Sequence, residues 1–325
     1  MDTLINLVNA AVLAGTPLLF GTLGEILTEK SGNLNLGVEG MMFMGALAGL
    51  AGVYLGESLF PGLSGFAIIL LAIICSFACG AFGASIYSFL TVSLRANQNV
   101  TGLTLTIFGV GFANFFGEVL ARSSSSGYVT ISTNAKIAFG NANLLGLNSL
   151  PYIGKLFFSY NVLVYVGVIL AVLLAVFFNR TRWGLNLRAV GEDPATADAA
   201  GINVGSYKHL ATIIGGGICG IGGMYISMVT CSGVWVHNCV SGQGWISVAL
   251  VIFATWSPTR ALLGSLVFGS LSIMRLYVPL GIPMQIYDIF PYIATVLVLI
   301  FTSIRQSKEH SMPKHCGLNY FREER

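Results

Sequence analysis

Side chains suited to covalent chemistry are few in this chain, and their spacing does not serve it. The four histidines, His209, His237, His310 and His315, are scattered, with no His-Glu-x-x-His or comparable metal-ligand spacing. Gly154-Lys155 is followed by Leu156, so the hydroxyl that would complete a phosphate loop and meet Mg²⁺ is missing. What remains is non-covalent chemistry, carried by polar groups set among apolar ones. Glu25, Glu39, Glu118 and Asp288 all lie in or beside apolar stretches. A charge at mid-bilayer costs about 2.5–3.5 kcal/mol, so it normally faces a cavity or a partner. Glu39 is the strongest candidate: it lies in SGNLNLGVEGMM beside Asn33 and Asn35, where Gly32, Gly37 and Gly40 permit a broken helix. Exposed backbone and Asn amides there could hydrogen-bond a hydroxylated or heterocyclic solute. The competing reading makes Glu39 a structural carboxylate accepting N–H groups at a helix start. A second cluster is Gln98, Asn99 and Thr101, following Arg95. A third is Ser241, Gln243 and Trp245. An indole there could stack on a sugar or base, although interfacial anchoring is its commoner use.

The elements that must position these groups are membrane helices. Of the 325 residues, 55% are hydrophobic and only 9% charged, too little charge for a soluble surface. Residues 58–94, 156–179 and 209–259 contain no Asp, Glu, Lys or Arg, and about 20 apolar residues suffice to cross a bilayer. The runs are continuous and do not alternate, which argues against a β-barrel. The expected fold is all-α: a polytopic helical bundle of about 8–10 transmembrane or re-entrant helices in a single domain, 1–325. The expected spans are 4–28, 37–56, 65–94, 98–121, 159–179, 208–230, 244–256, 260–279 and 288–304. The seventh is too short to cross comfortably, which makes 231–256 a candidate re-entrant element. Four-residue glycine spacings, Gly45/Gly49, Gly52/Gly56 and Gly216/Gly220, suit close helix packing. A faint internal echo relates 31–49 to 241–256, as in transporters built from two halves. The six cysteines read as small buried residues, with a Cys231–Cys239 disulfide as a weaker alternative. No basic segment precedes the first apolar run, so no secretory signal is expected.

Between apolar runs lies a charged island, RTRWGLNLRAVGEDPATADAAGINVGSYK (180–208), read as loop with one short helix. Asp193 can act as its N-cap and Pro194 as N1. Ala195 to Ala200 are helix formers, and Gly201 can take the left-handed position that ends it. Lys/Arg bias orients the chain. With the island inside, Lys30, Arg95, Arg180, Arg182, Arg188, Lys208, Arg260, Arg305, Lys308, Lys314, Arg322 and Arg325 fall inside. Arg122, Lys136, Lys155 and Arg275 fall outside. The N-terminus is then extracytoplasmic, the C-terminus cytoplasmic, 181–207 a cytoplasmic loop and 122–158 an extracytoplasmic one.

Three stretches, LTEKSGNLNLGVEGMMFMGA (27–46), GLNLRAVGEDPATADAAGINV (184–204) and SGQGWISVALVIFATWSP (241–258), resemble the permeases of bacterial ABC importers for branched-chain amino acids, ribose and nucleosides. LRANQNVTGLTLTIFGVGF (94–112) adds to the match. The forms GVEGMM and GQGW are similar to the nucleoside and simple-sugar branch, particularly guanosine and purine-nucleoside permeases. The resemblance implies a non-enzymatic subunit of the cytoplasmic membrane that moves a nucleoside or simple sugar by alternating access. It implies an ABC ATPase that binds ATP and Mg²⁺ in this chain's stead, a second permease chain, and an extracytoplasmic lipoprotein that delivers cargo. Membrane lipid surrounds the bundle, and no nucleic acid is involved. The coupling segment would comprise Gly191, Glu192, Asp193, Pro194, Ala197, Asp198, Ala199, Ala200 and Gly201, although the family's longer spacer before the glycine is absent. Relatives also tend to carry glycine where Ala254-Thr255 stand. The path would be lined by Asn33, Asn35, Glu39, Gln98, Asn99, Thr101, Gln243 and Trp245. The rival readings are an ion-coupled secondary transporter using Glu39 and Asp288, and a membrane enzyme or assembly protein.

Overall fold

Polar residues in front of the apolar runs become helix caps. In the computed structural model, which describes residues 2–124, 127–141, 153–277, 283–287, 289–304 and 312–322, Ser64, Asn97, Asn161, Thr181, Asp193 and Asn203 each accept a backbone N–H from the helix they precede. The helices are α1 (Asp2–Glu29), α2 (Val38–Leu59), α3 (Gly65–Ser88), α4 (Gln98–Ser123), α5 (Thr133–Ala138), α6 (Ile153–Phe157), α7 (Val162–Arg180), α8 (Arg182–Glu192), α9 (Pro194–Ala199), α10 (Val204–Tyr225), α11 (Gln243–Phe253), α12 (Pro258–Tyr277), α13 (Met284–Tyr287) and α14 (Phe290–Ile304). Wider π turns extend α3 through Phe89–Ser93 and α10 through Ile226–Thr230. Among the described residues, six stretches are long and apolar enough to cross a membrane: Ile5–Glu29, Val38–Leu59, Gly65–Ser93, Gln98–Ser123, Val162–Arg180 and Val204–Thr230. The shorter apolar helices α11, α12 and α14 occupy the remaining three expected spans.

The centre is made by α1, α2 and α10, with α3, α11 and α12 packed around them. Their glycines allow it: a Cβ on Gly45 would overlap the backbone of Gly220, and one on Gly223 the carbonyl of Met42. Lipid offers helices no hydrophobic drive to associate, so close backbone approach must hold them. The outer faces are apolar and exposed, as at Phe66 and Ile74 of α3, Ile107 and Phe115 of α4, and Ile169 and Leu173 of α7.

Two stretches of irregular backbone interrupt the bundle. Residues 31–37 turn back alongside the last turns of α1, where the Asn35 N–H donates to Glu25 (3.0 Å), so α2 begins inside the bundle. Residues 231–242 enter from the other end, where Trp235 N–H bonds Val129 O (3.0 Å) and Ile131 N–H bonds Gly233 O (3.0 Å). α11 then runs inward until Trp256 meets Glu29 at the far end of α1. The 231–256 stretch therefore crosses, as an irregular half followed by a short helical half, and does not return as a re-entrant element would. The six cysteines are free thiols. No disulfide joins Cys231 and Cys239.

Candidate functional site

Every backbone group that leaves a helix inside the bundle needs another partner. Ser31 and Gly32 N–H still bond carbonyls of the last turn of α1; from Leu34 onward the partners are side chains. Leu34 N–H donates to Gln98 Oε1 (2.7 Å) and its carbonyl accepts from the Tyr87 hydroxyl (2.5 Å). Leu36 O accepts from Thr106 (2.9 Å), and Gly37 N–H donates to Asn35 Oδ1 (2.9 Å). Asn33 Nδ2 donates to Thr212 of α10 (2.9 Å), while its Oδ1 has no partner. Glu39, 5% exposed, accepts from Gly242 N–H (2.7 Å) and Gly244 N–H (2.6 Å). It thus stabilises the start of α11 from across the bundle and joins the two echoing segments of sequence. That is the N–H-satisfying role, served to a different helix from its own. Gln243 Oε1 is buried beside this junction and unpartnered.

The structure brings Asn33, Asn35, Glu39, Gln98 and Gln243 into or next to one polar seam. Thr101 is buried one turn along α4, its hydroxyl returned to Asn97 O (2.8 Å). Asn99 is exposed, and Trp245 is 36% exposed; neither joins the seam. Glu118 is a surface residue paired with Arg122 at 2.6 Å, not an interior carboxylate. Asp288 lies outside the described residues.

Five residues escape a reading of the sequence alone. Glu29 is buried and accepts from Trp256 Nε1, although it stands beside Lys30 and reads as an interfacial charge. Thr255 and Trp256 have φ of +48° and +53°, the left-handed region in which glycine would be unstrained. Tyr87 gives no polar signal within its apolar run. Lys208 is buried although it reads as one more cation of the island.

The island is two helices. α8 buries Gly184, Leu187, Val190 and Gly191, a three-to-four-residue spacing that the loop reading passed over. Asp193 then caps α9: its carboxylate accepts from Ala195 N–H and Thr196 N–H (both 3.1 Å) and from the Thr196 hydroxyl (2.6 Å). These bonds hold Asp193 below the ordinary carboxylate range. Gly201 at φ +82° ends the helix, with Gly201 N–H to Asp198 O and Ile202 N–H to Ala197 O, both 3.0 Å. Pro194 and Ala197 face inward, while Ala199 and Gly201 are exposed. The tail 312–322 returns onto this surface: His315 N–H donates to Gly191 O (3.0 Å), the Tyr320 hydroxyl to Asp198 (2.9 Å), and Arg322 pairs with Asp198 at 3.1 Å.

A family model described as the permease component of a branched-chain amino acid transport system matches residues 6–299. The chain belongs to this permease family. It is 34% identical to a putative glucose ABC transporter permease of Haloferax volcanii, covering 99% of both chains. It is 31% identical to a nucleoside ABC transporter permease of Lactococcus lactis, covering 99% of this chain and 98% of that one. To a guanosine ABC transporter permease of Bacillus subtilis it is 33% identical, with 90% of each covered. The protein is thus a multi-pass, non-catalytic membrane subunit of an ABC transporter. ATP is bound by a partner ATPase, and a binding protein completes the system. An ion-coupled transporter and a membrane enzyme are both set aside.

Proposed function

We propose that this permease carries nucleosides inward across a bacterial cytoplasmic membrane by alternating access, as a single-domain chain paired with a second permease and supplied by an extracytoplasmic lipoprotein. The observation that carries the reading is the polar seam, where non-helical backbone and the amides of Asn33, Asn35, Gln98 and Gln243 converge inside an apolar bundle. Such groups suit a neutral, heterocyclic, hydroxyl-rich solute. The nucleoside and guanosine names of two full-length relatives support the cargo. The glucose name of the Haloferax relative favours a second reading, a simple sugar.

In this proposal Gly191 to Gly201 form the coupling surface, 181–207 and the C-terminus are cytoplasmic, and 122–158 and the N-terminus lie outside. The Lys/Arg bias supports that orientation. ATP-driven closure of the ATPase moves α9, and the motion reaches the seam through α8 and α10. Each site biases the other only through such a two-state element. Asn99, Thr101 and Trp245 are assigned to the path where it borders the second permease. Glu39 holds the backbone there while the amides meet the cargo.

Uptake of labelled guanosine into vesicles holding the complete transporter tests the cargo. Competition by nucleosides and not by glucose is expected; uptake of glucose alone would select the second reading, and uptake of neither would end both. Coupling is tested with Gly201→Val and Ala199→Trp. The Gly201 site has open space around it, so the valine acts through its left-handed backbone, a local cost of about 1–2 kcal/mol. Uptake and cargo-stimulated ATP hydrolysis should fall at least tenfold with insertion unchanged. Transport at the original rate in both variants would place docking elsewhere.

A further inference from the structure

A cavity of about 160 Å³ opens at the end of the bundle that carries α8 and α9, between the π turn after α3, the start of α10 and the tail. Three cationic side chains line it, Arg95, Lys208 and Arg322, and no aspartate or glutamate does. Lys208 is the informative one. It is 3% exposed, and among the described residues no carboxylate pairs with it and no acceptor bonds its ammonium. A buried ammonium without counter-charge is strongly unfavourable. Beside it, Asn33 is 1% exposed and its Oδ1 lacks a donor. The other two cations have company: Arg95 lies over the Phe321 ring at 4.7 Å, and Arg322 reaches Asp198.

We propose that this cavity binds a phosphoryl-bearing anion, held by Lys208 at its base and by Arg95 and Arg322 at its rim. Donors converge from three separate chain segments, which a tetrahedral group with several acceptor oxygens satisfies better than a two-oxygen carboxylate or a halide. Ammonium and guanidinium groups make their strongest hydrogen bonds to such oxygens. A hydroxyl on the bound anion would also supply the donor that Asn33 Oδ1 lacks. The occupant would touch the polar segment through Asn33 and the tail through Arg322 at once, tying the tail to the bundle. Two sources carry this chemistry: soluble phosphate or its monoesters, and the headgroup of an anionic phospholipid at the membrane edge.

The test titrates inorganic phosphate into the full chain in nanodiscs of zwitterionic lipid, at constant ionic strength, and repeats it with phosphatidylglycerol present. Binding is read by calorimetry and by the thermal midpoint. Saturable binding that anionic lipid does not alter assigns the site to a soluble anion. Binding suppressed by anionic lipid, or a midpoint that only anionic lipid raises, assigns it to a headgroup. In either case Lys208→Met should weaken the effect about tenfold or more. Arg322→Gln should weaken it severalfold, and its side chain is 71% exposed, so the fold tolerates the change. No saturable effect in either lipid, or one undiminished in both variants, overturns the proposal.

Discussion

Residues 31–37 and 231–242 are both irregular chain set into a helical bundle, and they meet at Glu39. Their hydrogen bonding differs in kind. The first is buried along most of its length and is satisfied by side chains from α1, α3, α4 and α10. The second combines tight local turns, as in Cys231 N–H to Ile226 O and Gly233 N–H to Ser227 O, with backbone bonds to 129–131 and left-handed residues at Ser232, Gly233, Asn238, Ser241 and Gly242. Its polar contacts with α4 are exposed, as between Asn114 and Asn238. Deep backbone without water must be held from outside itself, whereas backbone near an edge can rely on turns and solvent. The polar residues of 31–37 therefore hold backbone, and among them Asn33 Oδ1 is left without a donor.

The sharpest way to break this comparison is to remove the helix contact on which both regions rest. Gly45→Leu drives a side chain into Gly220 and should cost more than about 4 kcal/mol, read as loss of monodisperse protein after detergent extraction. Glu39→Ala cuts the junction itself and orphans two N–H groups, for about 2–5 kcal/mol; an unchanged thermal midpoint would show that the two segments are held independently. Asn114→Ala touches only the exposed end of 231–242 and should cost less than about 1 kcal/mol, measured in the same way. The smallest effect lies outside both regions, at α9. Because Asp193 titrates below the ordinary range, its cap is present above that range and is lost as pH falls through the lowered value. Amide exchange at Ala195 and Thr196, corrected for intrinsic rate, should therefore accelerate only below about pH 4. Acceleration already at pH 6 would refute a carboxylate cap.

Much of the architecture was legible because lipid imposes it. The nine apolar runs correspond to nine helical elements, and the expected 65–94 span closes at Ser93 through a π turn. The caps of α9 were legible from Asp193, Pro194 and Gly201, since capping is local chemistry. The tail's return onto Asp198 left no trace, because it depends on contacts more than a hundred residues apart. Glu29 and Lys208 were hidden for a related reason. Charges next to helix ends look solvated in sequence, and only the arrival of Trp256 and the tail buries them. Within the candidate site, Asn33, Asn35, Glu39 and Gln98 could be found as polar residues beside glycines or helix starts. Tyr87 could not, since one hydroxyl in an apolar run carries no periodic signal.

The burial of α1 bears on how the protein is made. Its Thr22 hydroxyl bonds Ser247 O at 3.1 Å, Glu29 binds Trp256, and Gly15 and Gly24 lie against the backbones of Ser265 and Gly215. These neighbours leave the ribosome roughly two hundred residues after α1 does. A helix made early is thus enclosed late, with the Glu29 carboxylate awaiting Trp256 in the meantime. A nascent chain arrested before Trp256 should therefore leave Glu29 open to chemical labelling, and one extended past it should not.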